Sequence, residues 1–249
     1  MLNATAIDGI PEVTPDDDLA ALIVSALAGE PLGDGDVIVV AHKVVSKSEG
    51  RIRRLADVEP SERARELAGQ VDKDPRHVQV ILDESGEILR ARHGILICLT
   101  HQGFVCANAG VDASNVPGED TVVLLPTDPD LSARRLRARI GELSGAHPAV
   151  VITDSFGRAW RVGQCDVAIG CAGIEPVEDW RGRVDANGRE LKATVIAVAD
   201  QLAATADLAR AKDVSQPVVL IRGAARHATA EDGPGARALI RSKEQDLFR

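Results

Sequence analysis

Val150-Val151-Ile152-Thr153-Asp154-Ser155-Phe156-Gly157-Arg158 places an acid and a hydroxyl directly after a run of apolar residues. β-Branched residues in an unbroken apolar run of this length read as a buried strand, here over residues 149–152, with the rest as the turn that leaves it. A second segment repeats the pattern: Asn108-Ala109-Gly110-Val111-Asp112-Ala113-Ser114-Asn115 follows an apolar stretch and ends in small residues around an acid. A carboxylate at the end of a buried strand is costly to hold unless it is hydrogen-bonded or bound to a metal. Two such acids, each near a hydroxyl, suggest a divalent-cation site, because hard cations select oxygen ligands and keep positions open for phosphate. The chain therefore reads first as an enzyme that handles phosphates.

Elsewhere in the chain, strands are expected at residues 2–7, 37–40, 103–106, 122–125, 167–174 and 218–221, and as a hairpin over 88–99 broken at His93-Gly94. Asp16, Asp17 and Asp18 precede an Ala/Leu-rich helix, where acids complement the helix N-terminus. Further helices are expected at 61–71, from Asp74-Pro75 to about Leu82, at 132–143 with Leu136, Ile140 and Leu143 on one face, and at 191–209. Residues 223–235 read as a loop before a short C-terminal helix. Gly33-x-Gly35 precedes a strand instead of following one, so it fails as a dinucleotide fingerprint. The strands cluster without strict β-α-β alternation, which predicts a mixed-sheet α+β fold. Residues 1–249 read as one unit of two lobes, with a composition shift near 126–130 between them.

The 249 residues are 45% hydrophobic but only 2% aromatic, so the core must be built from Val, Ile, Leu and Ala. A surface that stacks nucleic-acid bases needs aromatic rings, and a net charge of −9 disfavours polyanionic partners. Cys98, Cys106, Cys165 and Cys171 form no Cys-x-x-Cys pair, and no His stands at zinc spacing. No basic-then-apolar leader opens the chain and no apolar run is long enough to span a membrane, so a cytoplasmic protein without a structural disulfide is expected.

Around the two acids, several residues suit anion chemistry. Asn115 can both donate and accept, which fits a phosphate or a sugar, although Asp112 in a local Asx-type turn is an equally good reading of that segment. Arg158 and Arg161 bracket Trp160 and have the forked geometry to clamp an anionic substrate; the plainer alternative is a solvated basic turn with Trp160 packed on the core. His42-Lys43-Val44-Val45-Ser46-Lys47 leaves the strand at 37–40, so Lys43 and Lys47 are placed to meet phosphate, or to be ordinary surface lysines. There is no Walker loop, no Gly-x-Ser-x-Gly elbow and no His-Glu-x-x-His.

Taken together, Val44-Val45-Ser46-Lys47 with Glu49-Gly50-Arg51, the 108–115 and 152–158 segments, Asp179-Trp180, Gly188-Arg189-Glu190-Leu191, Val198-Ala199-Asp200 and Arg222-Gly223 resemble one family in order along nearly the whole chain. It is the coenzyme F-420-0:L-glutamate ligase, or gamma-glutamyl ligase, family. The resemblance implies GTP-dependent addition of L-glutamate to the deazaflavin precursor F-420-0, first at its lactyl carboxylate and then through gamma linkages. It implies two divalent cations, magnesium or manganese, stimulation by potassium, and a two-lobed fold forming an intertwined homodimer. Matched residue by residue, Asp112 and Asp154 would hold one metal and Ser155 would contact the other. Pro11, Glu12, Val13, Thr14, His42, Lys43, Lys47 and Asn115 would line the GTP site, and a loop of Arg210, Ala211, Lys212, Asp213, Val214 and Ser215 would close over the nucleotide. The chain departs from the pattern at His42, where a small hydroxyl residue is usual, and at Lys212, a base where some relatives carry an acid. In mycobacterial relatives the unit is fused to a flavin-binding domain, so a chain of this extent is a stand-alone enzyme or one domain of a longer one.

A carboxylate does not acylate an amine unaided. Phosphoryl transfer from GTP would make an acyl phosphate, metals bridging the phosphates would neutralise the developing charge, and the glutamate amine would displace phosphate without a covalent enzyme nucleophile. Two other classes fit the same acids: a metal-dependent phosphohydrolase that activates water, and a non-catalytic module that binds nucleotide or deazaflavin. The run Ile95-Leu96-Ile97-Cys98-Leu99 asks for cover on both faces; an ordinary central strand of a monomer would have it, and so would the strand exchange of the intertwined dimer that the resemblance implies.

Overall fold

The computed structural model describes residues 1–249 except 28, 115–117, 119, 212 and 247–249. At its centre a five-stranded sheet runs in the order β1 (Asn3–Ile7), β12 (Val218–Arg222), β2 (Val37–Ala41), β8 (Ala149–Arg158), β9 (Arg161–Ala172). Within this sheet β2 and β8 are parallel and the other neighbours antiparallel. The two parallel strands are apolar at every central position because both of their faces are covered. Ile38, Val40, Val150 and Ile152 pack on one side with α1 (Leu19–Ala26) and α5 (Pro129–Ser144). Val37, Val39, Ala149 and Val151 pack on the other with α6 (Val198–Ala209). Gly170 lets α5 come close: a Cβ there would stand 2.3 Å from the Pro129 carbonyl oxygen.

A third buried cluster is built from residues 55–124. There α3 (Glu62–Val71) and α4 (Pro75–Asp83) accompany a sheet of β4 (Ser85–Arg92), β5 (Ile95–Thr100) and β6 (Val105–Ala107). A short pair, β3 (Ile52–Arg54) with β7 (Thr121–Val123), flanks it in the sequence. The change of core falls between adjacent residues, Leu124 in the third cluster and Leu125 in the first. Four helix starts follow their capping residues: Asp18, Ser61, Asp74 and Asp128 each accept a backbone N–H of the first turn. His93 and Gly94, with φ of 52° and 76°, make the tight turn between β4 and β5.

The architecture is mixed α+β, and individual elements depart from expectation in four places. The strand expected to stop at Ile152 continues to Arg158 and pairs with β9, which starts at Arg161 instead of residue 167. Residues 195–197 form β11, paired with β10 (Val177–Asp179), so the Ala-rich helix begins at Val198 and not at residue 191. β-Branched Val195 and Ile196 favour the strand over the helix. His42–Ser48 is a helix, α2, where the sequence predicts only a strand exit. Beyond residue 223 the described chain forms 3₁₀ turns and no α-helix. No helix among the described residues is long and apolar enough to cross a membrane.

Candidate active site

The sheet topology brings several chain segments to one edge. β1, β2 and β8 all run towards it, so residues 10–13, 42–47 and 153–155 emerge there side by side. β9 and β12 run away from it, so Gln164, Asp166 and the residues just before Val218 arrive there as well. Asp112 and Ser114 reach the same place from beside the third cluster. Together they line a cleft of ≈ 820 Å³, at the carboxyl ends of parallel strands where open sheets commonly bind ligands.

Each side chain is set by local structure. On α2, Lys43 and Lys47 stand four residues apart and share a face. The buried Lys47 meets Glu12 Oε1 at 2.5 Å. Lys43 Nζ lies 2.7 Å from Asp112 Oδ2 and donates to Ser114 Oγ at 2.6 Å. Asp112 bridges to Val123 through its backbone, and its side chain accepts the Ser114 N–H at 2.7 Å. The Asx turn and the charged partner are therefore both present. Burial pushes the Asp112 carboxyl up, but hydrogen bonds from Lys43 and Ser114 outweigh it and hold the group below the usual carboxylate range. Gly110 allows close packing in the preceding turn, since a Cβ there would be 2.6 Å from the Leu125 side chain.

A register shift between Ile152 and Thr153 interrupts the β8–β9 hairpin just before Asp154, and bulges of this kind re-aim side chains beside active sites. Asp154 Oδ1 accepts the Ser155 N–H at 2.8 Å and lies 3.3 Å from Nε2 of the buried His42, without the alignment of a hydrogen bond. The other His42 nitrogen, Nδ1, is 3.3 Å from Ser46 Oγ on the same helix.

Pro11, Glu12, Val13, His42, Lys43, Lys47, Asp112, Asp154, Ser155, Arg210, Ala211, Asp213, Val214 and Ser215 all line this cleft. Thr14 does not: it donates through its N–H and its hydroxyl to Asp17 at 2.7 and 2.9 Å, ahead of α1. Asn115 and Lys212 lie outside the described residues. Arg158 stands away from the cleft, at the far end of the β8–β9 hairpin, where its guanidinium donates to the Val162 and Gly163 carbonyls. Trp160, on the same tip, is 79% exposed, so it is not packed on the core.

The cleft also takes in polar residues for which the sequence raised no expectation of a site, among them Gln164 and Asp166. Asp166 is 1% exposed and pairs with Arg210. Its signal is present in the sequence, because an acid inside the apolar run Cys165-Asp166-Val167-Ala168-Ile169 is buried with that run and demands a partner. All four cysteines are free, and burial raises the thiols of Cys98, Cys106 and Cys171, which suppresses their reactivity.

Five carboxylates of the described residues line the cleft, Glu12, Asp112, Asp154, Asp166 and Asp213, and among them Asp112 and Asp154 stand with the Ser155 hydroxyl as the residues that could hold a metal. Among the described residues no three His, Cys, Asp or Glu side chains converge into a ready-made metal cage. Oxygen donors without Cys or a second His would suit a hard cation better than zinc. Lys43 seats a positive charge on Asp112.

A mixed sheet whose parallel strands end in a cleft lined by paired acids and bases defines the class: an α+β protein with a candidate active site at a sheet edge. Residues 9–223 match the family described as F420-0:Gamma-glutamyl ligase. The coenzyme F420:L-glutamate ligase of Methanothermobacter thermautotrophicus is 44% identical over 251 residues, covering 100% of this chain and 99% of the relative. Those of Methanopyrus kandleri and Archaeoglobus fulgidus are 46% and 45% identical, each covering 94% of the relative and 96% and 98% of this chain. The chain belongs to the F420-0:gamma-glutamyl ligase family, a family of amino-acid ligases.

Proposed function

We propose that this enzyme adds L-glutamate to the deazaflavin precursor F-420-0, using GTP to activate the acceptor carboxylate as an acyl phosphate. The observation that carries the proposal is the company kept by the acids: Asp112, Asp154 and Ser155 share one ≈ 820 Å³ cleft with Lys43, Lys47 and Arg210. A cleft of that size accommodates a nucleotide. Lys43 and Lys47 would meet the phosphates, exchanging Asp112 and Glu12 for them. Asp112, Asp154 and Ser155 would hold magnesium or manganese, which supplies charge neutralisation on the transferring phosphoryl group. The chain's own work is to align the acceptor carboxylate with the phosphoryl group, keep water away from the acyl phosphate and admit the glutamate amine.

Support for a homodimer comes from the three-stranded sheet. Along β5, Leu96, Cys98 and Thr100 are buried, whereas Ile95 and, on β6, Val105 are each 42% exposed. That apolar face is suited to a second copy of the chain, and sedimentation at nanomolar concentration tests it: a folded, fully active monomer there removes the dimer from the proposal.

Mass spectrometry tests the activity. Incubating F-420-0 with GTP, glutamate and manganese yields a product heavier by one glutamyl residue, or by several, and omitting glutamate prevents it. Release of phosphate with no glutamylated product identifies a phosphohydrolase instead, and no turnover at all identifies a binding module.

A further inference from the structure

We propose that Asp166 is a positioning residue of this site, a buried carboxylate that locks the Ser155 hydroxyl to the segment between Arg210 and Pro217. Ser155 and Asp166 face each other across the β8–β9 hairpin, so their side chains leave the same face. Ser155 Oγ donates to Asp166 Oδ1 at 2.6 Å, and Thr153 Oγ1, two residues earlier on that face, donates to Oδ2 at 3.0 Å. A further partner is Arg210, whose Nη2 also donates to Thr153 Oγ1 at 2.9 Å. Arg210 and the two hydroxyls thus surround a carboxylate that is only 1% exposed, which is what a buried acid requires.

Two consequences follow from the donor count. A serine hydroxyl has one proton, and here Asp166 takes it, so towards the cleft Ser155 can act only as an acceptor. That suits a cation and rejects an anion. Arg210 meanwhile holds both ends of the segment: it is itself residue 210, and its Nη1 donates to the Pro217 carbonyl at 3.3 Å. The same carbonyl accepts the Ala41 N–H at 2.8 Å, which fixes the segment's end to β2. Ala211 and residues 213–216 line the cleft between those two anchors. One carboxylate thus ties the side of the cleft that offers the Ser155 oxygen to the side lined by Ala211 and residues 213–216. The cation met by that oxygen rests on the function proposed above, whereas the clamp is formed by contacts within the chain.

Two measurements on Asp166→Asn, Ser155→Ala, Arg210→Gln and the double variant Asp166→Asn/Arg210→Gln test this. Hydrogen exchange of residues 213–216 reads the clamp without any ligand. Manganese titration in the presence of GTP, followed by electron paramagnetic resonance, reads the oxygen side. Asp166→Asn should speed exchange about tenfold and weaken manganese binding about 10–100-fold, the range for losing the partner that orients a ligand. Ser155→Ala should weaken manganese without speeding exchange, and Arg210→Gln should speed exchange. The double variant keeps a neutral hydrogen-bonded pair and covers the case in which Asp166→Asn fails to fold; its manganese binding should remain weakened. A merely structural ion pair predicts lower melting temperatures with manganese affinity unchanged. Manganese binding within about twofold of wild type in the folded Asp166 variants overturns the positioning role. If the wild type itself binds no manganese with GTP, the proposed function falls while exchange still decides the clamp: unchanged exchange in the folded Asp166 variants refutes it.

Discussion

On the β8–β9 hairpin Asp154 pairs with Val167 and Asp166 with Ser155, so two carboxylates stand one rung apart on neighbouring strands. They point to opposite faces. Val167 packs with the α1/α5 cluster and Ala168 with the α6 cluster, which fixes the sides. Asp166 is closed in by Arg210, Thr153 and Ser155. Asp154 has the Ser155 N–H and a misaligned His42, and it borders the cleft. The same residue type on the same hairpin thus stands in two different settings. A carboxylate whose lone pairs are filled by its own chain holds geometry, and one left partly unfilled is available to a ligand.

The largest effect bearing on this contrast is on stability. Asp166→Asn leaves the Arg210 side chain, only 7% exposed, without its counter-charge. Removing one partner of a buried pair typically costs about 3–5 kcal/mol, and urea unfolding should show a loss of that order. An unaltered midpoint would mean that Asp166 and Arg210 do not depend on each other. Asp154→Asn should do the reverse. Melting stays within a few degrees while the ligase rate falls to below about a tenth of wild type, at least ~1.4 kcal/mol in barrier height. A rate above that would take Asp154 out of the chemistry.

Lys47→Ala extends the contrast to the basic residues. Lys47 is buried against Glu12, and its loss should raise the Michaelis constant for GTP more than that for glutamate. Equal changes in the two would mean that Lys47 only supports the fold. A smaller effect belongs to the Lys43–Asp112 pair. Because the folded Asp112 carboxyl lies below the usual value, the pair stabilises the protein above the ordinary carboxylate range. That contribution is lost as pH falls through the lowered folded value. Melting curves of wild type and Lys43→Met across acidic pH should therefore converge at the acid end; parallel curves would show that the pair adds nothing. Smallest of all, Arg158→Ala at the hairpin tip should alter stability by no more than about 0.5 kcal/mol, read from the same urea midpoints.

The two acids also differ in how far the sequence announces them. Strands over 37–40 and 149–152 and the 88–99 hairpin are legible because apolar runs and a His-Gly turn mark them without long-range information. Asp112 and Asp154 are legible because each follows such a run. The extension of β8 to Arg158 is not, since Thr153, Asp154 and Ser155 look like a turn until β9 supplies their ladder partners. The α2 helix is hidden by its shortness and by β-branched Val44 and Val45, which local preference assigns elsewhere. Asp166 depends on Arg210, 44 residues away. Its isolation in an apolar run announces burial, but the partner is set by the meeting of β9 with the end of α6, which is tertiary packing.

Isotope transfer decides whether this cleft activates a carboxylate with GTP. F-420-0 labelled with heavy oxygen in its acceptor carboxylate is incubated with GTP, glutamate and manganese, and the released phosphate is analysed by mass spectrometry. Formation and aminolysis of an acyl phosphate leave one labelled oxygen on the phosphate for each amide formed. Unlabelled phosphate accompanying the glutamylated product would contradict the account.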